Sequence, residues 1–122
     1  MPAKPRIGVK RVYDAPARGD GLRILVDRVW PRGMTREAAA LDEWMPDVAP
    51  SAALRKWFGH EPSRWAGFER RYRRELDARP EVLAALVARI GRRRAVLRFG
   101  ARDAERNQAV ALRAYLHTRF GL

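Results

Sequence analysis

Asp27, Arg28, Trp30 and Arg32 fall within one short stretch, Asp27-Arg28-Val29-Trp30-Pro31-Arg32-Gly33. Two guanidinium groups flanking an indole suit a ligand that carries a phosphate or carboxylate beside a flat ring, such as a nucleotide or a splayed base. Asp27 can take part in proton transfer there. The same residues also fit a plainer arrangement, with Asp27 paired to one arginine and Trp30 plugging the core under the loop. A second group lies far downstream, where Gly100-Ala101-Arg102-Asp103 leads into a last helical stretch. Free amides and the dipole at a helix N-terminus favour an anion, and Arg102 and Arg106 reinforce that field. Asp103 and Glu105 oppose it, and Asp103 capping its own helix with Arg102 paired to an acid would need no ligand. Asn107 can both donate and accept hydrogen bonds. His60, in Trp57-Phe58-Gly59-His60, is a candidate general acid or base, or else a cap for neighbouring backbone. Sequence leaves open whether Arg55 and Lys56 reach the same rim.

Other chemistry is poorly supplied. The absence of cysteine excludes a disulfide framework, a thiolate metal site and a thiol nucleophile. His60 and His117 are far apart and the carboxylates are scattered, so no metal-ligand spacing is present. No P-loop or strained serine motif marks a nucleophile, and no cofactor is indicated.

The elements that must position these groups follow from pattern and punctuation. Ile7, Val9 and Val12 suggest a first strand, followed by a turn-rich stretch at 14–21. Leu22-Arg23-Ile24-Leu25-Val26 and Ala95-Val96-Leu97-Arg98-Phe99 are nearly continuous apolar runs, the pattern of strands covered on both faces. Thr35 caps a short helix through 40, and residues 42–47 continue as a turn or helical segment carrying Trp44. Ser51 caps a helix over 52–58 that stops at Gly59, and Pro62 opens one running to about 78. Trp65, Phe68, Tyr72 and Leu76 form its buried stripe, while Arg64, Arg70, Arg71, Arg73 and Arg74 spread over the rest. Pro80 opens and Gly91 ends a further helix, and Asp103 caps the last, over about 104–119. The order of strands and helices predicts a small α/β domain of Rossmann-like, three-layer type, with a short, mainly parallel sheet flanked by helices. In such sheets ligands bind beyond the carboxyl ends of the strands, where the loops at 27–33 and 100–107 both lie. Lys10, Arg11 and Tyr13, at the end of the first strand, can join that rim.

The 122 residues are 47% hydrophobic, enough for one domain with its own core. No stretch is apolar enough to serve as a signal peptide or membrane span, which predicts a cytoplasmic protein with no membrane partner. The formal charge of +12 raises nucleic acid as a partner. However, 23 of the 26 cationic residues are arginine, and the alanine content is high, a usage that GC-rich coding also produces.

The motif Leu25-Val26-Asp27-Arg28-Val29-Trp30-Pro31-Arg32-Gly33 resembles the signature of the YeaO-like branch of the domain-of-unknown-function 488 family. Leu41-Asp42-Glu43-Trp44, Ala49-Pro50-Ser51, Leu54-Arg55-Lys56-Trp57-Phe58-Gly59-His60, Arg64-Trp65, Arg71-Tyr72 and Glu75-Leu76 continue the likeness in the same order. Ala101-Arg102-Asp103 with Glu105 and Asn107 resembles its final motif. The chain departs from that motif at Arg106 and Gln108, where the branch pattern has His and Asn, and at Phe99-Gly100, where it has Tyr-Ala. Other branches of the family carry Cys-His-Arg after the last strand, a chemistry this chain lacks. The resemblance implies a fold but names no substrate.

Two functions fit these residues. One is a domain binding, and acting on, a phosphate-containing or nucleotide-like ligand, with Arg28, Trp30, Arg32, Arg102 and Asn107 as binding residues and Asp27, His60 or Asp103 moving protons. The other is a non-catalytic nucleic-acid-binding module that uses the same loop and the basic helix.

Overall fold

The computed structural model describes residues 6–122; the N-terminal stretch expected to lack a signal peptide falls partly on residues 1–5, outside the described residues. Among the described residues, strands β1 (Ile7–Arg11), β2 (Leu22–Leu25), β3 (Glu43–Trp44) and β4 (Ala95–Phe99) form one sheet. Its order is β1-β4-β2-β3 and every pairing is parallel. The described residues also form five α-helices: α1 (Arg36–Ala39), α2 (Ala52–Phe58), α3 (Trp65–Asp77), α4 (Pro80–Ile90) and α5 (Gln108–Phe120). The expected α/β architecture is therefore present.

The layers on the two faces are unequal. Ile7 and Val9 of β1, Leu22 and Ile24 of β2, and Ala95, Leu97 and Phe99 of β4 turn one face toward the main core. There they meet Leu54 and Phe58 of α2, Phe68, Tyr72 and Leu76 of α3, Leu83, Leu86 and Ile90 of α4, and Leu112 and Leu116 of α5. The alternate residues point the other way, as the period of a strand requires. On that second face Val12, Leu25 and Ala39 form a small cluster covered by Trp30, Met34 and Leu41, so α1 and ordered loops supply the thinner layer.

β4 is paired on both edges and all five of its residues are buried, including Arg98 at 0% exposure. Its charge lies on the thin-layer face. There Nη2 donates to the carbonyls of Arg11 (3.0 Å), Val12 (3.1 Å) and Asp14 (2.6 Å), while Nη1 sits 3.9 Å from the Asp20 carboxylate. Asp20 also receives Lys10 at 3.2 Å and Arg23 at 3.0 Å. Although burial raises its pKa, backbone and side-chain donors outweigh that and hold it down to about 2. One carboxylate thus gathers three cations beneath the sheet.

The helix boundaries are set by their caps. Ser51 Oγ accepts from the Leu54 amide and Thr35 Oγ1 from that of Ala38. Gly59 ends α2 in the left-handed region (φ 53°), and Pro80 and Gly91 bracket α4.

Two expectations need correction. Residues 42–47 are not a continuous turn or helix, because Glu43 and Trp44 form an edge strand beside Ile24 and Leu25, followed by a 3-10 turn over Pro46–Val48. Bonds from Asp42 N to Arg23 O and from Met45 N to Leu25 O, each 2.9 Å, hold that edge. Nor does Asp103 cap the last helix. Its Oδ1 accepts from the amides of Glu105 (2.9 Å) and Arg106 (3.1 Å) in a separate turn, and α5 begins only at Gln108.

Gly21 links the thin layer to β2 with φ 73°, and a Cβ there would lie 2.2 Å from the Arg94 carbonyl oxygen that accepts from Leu22 N. Gly21→Ala combines a left-handed backbone cost with a backbone clash, and is expected to lower unfolding free energy by about 3 kcal/mol or more in urea denaturation.

Candidate functional site

The carboxyl ends of β2 and β4 lie side by side, but the chain leaves them in opposite directions. After β2 it turns to α1 in the thin layer; after β4 it turns to α5 in the thick one. Such a switch point opens a crevice between the two loops. A cavity of about 250 Å³ occupies it, lined from several separate parts of the sequence.

Asp27 is part of its lining. Gly100 N donates to Oδ2 at 2.9 Å and the Gln108 amide donates to Oδ1, so the carboxylate ties the end of β2 to the end of β4 and the start of α5. It has no ion pair among the described residues. Burial pushes its carboxyl up to about 6, against the opposing pull of the Gly100 amide, the Arg55 guanidinium and the Gln108 amide. The close approach also restricts Gly100, where a Cβ would sit 2.9 Å from Asp27 Oδ2.

Arg28 forms one wall. Its Nε and Nη2 donate to the carbonyls of Pro50 and Ala49, each at 3.3 Å. Those carbonyls belong to a segment held by α3: Tyr72 donates its phenol to Val48 O, Glu75 accepts from Ser51 N and Oγ, and Arg79 donates to Asp47 O and Ala49 O. Tyr72 and Glu75 of α3, with Arg79 just after it, therefore fix the loop that aims Arg28. Complete burial raises the Tyr72 phenol well above its ordinary range, so it stays a neutral donor.

Arg32, Arg55 and Arg106 add cationic side chains to the lining, with His60 beside them. His60 follows Gly59 in the left-handed region (φ 58°), an uncommon setting for a non-glycine residue. Phe58 and Phe68, stacked at 4.6 Å, make an apolar floor. Tyr13 and Val29, 42% and 63% exposed, stand at the mouth, where the Tyr13 hydroxyl donates to Arg32 O at 2.7 Å. Arg11 packs over the Tyr13 ring and donates to Ala101 O, closing the rim from the β1 side.

The cavity thus brings together Asp27, Arg28, Arg32, His60 and Asn107 from the residues singled out in the sequence. Asn107 is there in a different capacity from the one expected. It is 2% exposed and caps α5, its Oδ1 accepting from Val110 N and its Nδ2 donating to Asp103 O, so both ends of its amide are engaged. Trp30, Arg102 and Asp103 lie outside the lining. Trp30 covers the thin-layer cluster, donates to Met34 O at 2.6 Å and meets Trp44 edge-on at 5.5 Å. Arg102 is exposed, and Asp103 is occupied by its own turn and by Arg106 at 3.6 Å. Of the residues the sequence left undecided, Arg55 joins the lining and Lys56 does not. Arg55 follows Leu54, whose i,i+4 row with Phe58 is buried, and that spacing is the available sequence signal. Gln108, which stands out in the sequence only as a departure from the family pattern, proves to be a direct partner of Asp27.

The fold and crevice define a small parallel α/β protein with an arginine-rimmed pocket at the sheet's switch point. The chain belongs to the DUF488-N3i family, described as the inactive DUF488-N3 subclade, whose sequence model it matches over residues 6–121. It is 40% identical over 113 residues to the uncharacterized protein YeaO of Escherichia coli (strain K12), covering 92% of this chain and 97% of YeaO. It is 37% identical over 119 residues to the uncharacterized protein Rv3073c of Mycobacterium tuberculosis (strain ATCC 25618 / H37Rv), covering 98% and 100% of the two chains. No solved structure matches it significantly.

Asp27 yields a signed pH prediction. Its folded pKa of about 6 exceeds the unfolded value of 3.8, so the native state binds the extra proton between these limits and stability falls as pH rises from about 4 to 6. The loss is at most about 3 kcal/mol and persists above pH 6. Asp20 adds no slope in that window, since its contribution is lost only below its unfolded pKa, toward about 2. Urea unfolding of wild type and Asp27→Asn across pH 4–7 is expected to show this component in the wild type alone.

Proposed function

We propose that this protein binds a small phosphate-bearing, nucleotide-like ligand at the carboxyl edge of its sheet, and that binding rather than turnover is its role. The observation that carries this reading is the convergence of Arg28, Arg32, Arg55 and Arg106 on one cavity with an apolar floor. Guanidinium groups supply bidentate donors for phosphate, and a partly enclosed site strengthens them relative to open water. The start of α5 borders the same cavity through Asn107 and Gln108 and adds the positive end of a 13-residue helix. At about 250 Å³ the space lies just below the usual range for ligand pockets, which favours a ligand no larger than a mononucleotide. The description of the subclade as inactive supports binding without turnover. Asp27 and His60 remain the two lining residues best suited to move a proton should turnover be found.

Calorimetric titration with inorganic phosphate at low salt tests the reading. Arg55→Ala, at an exposed helix position, is expected to weaken binding at least about tenfold, and Arg28→Ala by a similar factor. Unchanged affinity in both would sink the proposal.

One observation favours a second reading, a nucleic-acid-binding surface: α3 and its N-cap expose Arg64, Arg70, Arg71, Arg73 and Arg74 along the outer side. Arg71 lies 3.9 Å and Arg64 5.5 Å from the Trp57 ring, so that indole is engaged by arginine, and the surface would contact phosphates. Fluorescence anisotropy with duplex DNA separates the two. The surface reading requires a steep salt dependence and indifference to Arg55→Ala; the pocket reading requires saturable binding of small phosphates that depends on Arg55.

A further inference from the structure

The pocket lining carries both signs of charge. Arg28, Arg32, Arg55 and Arg106 line it together with the carboxylate of Asp27, which feels the attraction of Arg55 but forms no ion pair among the described residues. A bare phosphate would answer the arginines and leave Asp27 facing a second anion. A cationic ligand group would answer Asp27 but meet the arginines. Neutral N–H donors satisfy the carboxylate without either repulsion.

The hydrogen-bond inventory of Asp27 narrows the donor. Each carboxylate oxygen has two acceptor directions, and one on each is taken, by Gly100 N on Oδ2 and by Gln108 Nε2 on Oδ1. One acceptor position therefore remains on each oxygen, suited to two adjacent N–H groups on the edge of a flat ring. Guanine presents such an edge with N1–H and its 2-amino group. Phe58 and Phe68 border the cavity but are almost wholly buried, so apolar contact with the ring falls chiefly to exposed Tyr13 and Val29.

Building on the phosphate-pocket reading above, we propose that the ligand is a guanine nucleoside monophosphate, with its phosphate held by the arginines and its base read by the two oxygens of Asp27. The groups facing Asp27 are the amide of Gly100, the side chain of Gln108 and the Arg55 guanidinium, with Arg28, Arg32, Arg106, Tyr13 and His60 around the same cavity. Because Asp27 alone among these would accept both base donors, discrimination between bases depends on its charge, while phosphate binding depends on the arginines.

The test compares GMP, IMP, ribose 5-phosphate and inorganic phosphate by calorimetry. IMP shares the ribose, the phosphate and N1–H with GMP but lacks the 2-amino donor, so the ratio of their affinities isolates the base. At pH 8 the wild type is expected to favour GMP over IMP at least about fivefold, and the ratio is expected to fall below about twofold at pH 5, where Asp27 is protonated. Asp27→Asn is expected to abolish the preference at both pH values while retaining phosphate binding. The variant has a route to a paired native state, since the Gln108 amide can turn and accept from the introduced amide nitrogen while Gly100 N still donates to the introduced oxygen. The wild-type pH comparison provides the second measurement if that variant folds poorly. A GMP to IMP ratio near one at pH 8, or one that Asp27→Asn leaves intact, overturns the guanine proposal. If ribose 5-phosphate and inorganic phosphate bind through Arg55 while GMP gains nothing, only this inference falls. If inorganic phosphate itself fails to bind, the phosphate-pocket reading falls with it.

Discussion

The structure depends on a central strand that must be hydrogen-bonded along both edges. β4 comes late in the chain yet lies between β1 and β2, so neither pairing can form until the long segment carrying α2, α3 and α4 has crossed the sheet. The registers Ile7↔Ala95 and Leu22↔Ala95 then fix where all three strands end. That common end is what brings Asp27 and Gly100 within hydrogen-bonding distance. Burying β4 also buries the Arg98 cation, whose Nη2 meets three carbonyls at and just after the end of β1 and whose charge is answered by Asp20, while Nε and Nη1 form no hydrogen bond. The charge beneath the sheet and the crevice at its edge share one topological cause.

At that edge, no single motif builds the pocket. The Asp27-to-Gly33 loop supplies the carboxylate and two arginines, but the direction of Arg28 comes from Ala49 and Pro50, whose positions come from Tyr72, Glu75 and Arg79 on and just after α3. Trp44, on the edge strand, donates its indole N–H to the backbone oxygen of Asp27 at 2.8 Å and so braces the loop from outside the cavity. Several of the aromatic and charged residues that make the sequence motifs conspicuous thus act as supports. Trp30 and Trp44 hold the loop, and Trp57 packs on Gly67 between arginines.

Much of the architecture was legible because local chemistry and tertiary packing agree. The apolar runs at 22–26 and 95–99 carry β2, which ends at Leu25, and β4, and Ser51, Gly59, Pro80 and Gly91 bound the helices they were expected to bound. Reading failed where two local solutions compete or where the pattern is too short. Asp103 and Asn107 are both good caps four residues apart; Asp103 is satisfied by its own turn, leaving the helix to Asn107. β3 has only two residues, too few to show alternation, and exists because Arg23 and Leu25 need partners. At the site, the loops at 27–33 and 100–107 do meet, but the pairing of Asp27 with Gln108 joins residues with no local relation. The occupation of Asn107 and the outward placement of Arg102 likewise follow from how α5 begins, which the sequence pattern placed four residues too early.

The unequal layers also bear on how the molecule opens. On the thick side, four helices bury a continuous apolar core against the sheet; on the thin side the buried apolar cluster is small, centred on Val12, Leu25 and Ala39. Local opening is least costly where the fewest apolar contacts are lost. The segment from Arg28 to Leu41 therefore has the least apolar contact to lose, and Arg28, bonded to the Ala49 and Pro50 carbonyls, is its polar tie to the other layer. One wall of the crevice is carried by that segment and the opposite wall by the thick layer, so the pocket lies along the seam between the lightly and the heavily packed halves of the fold.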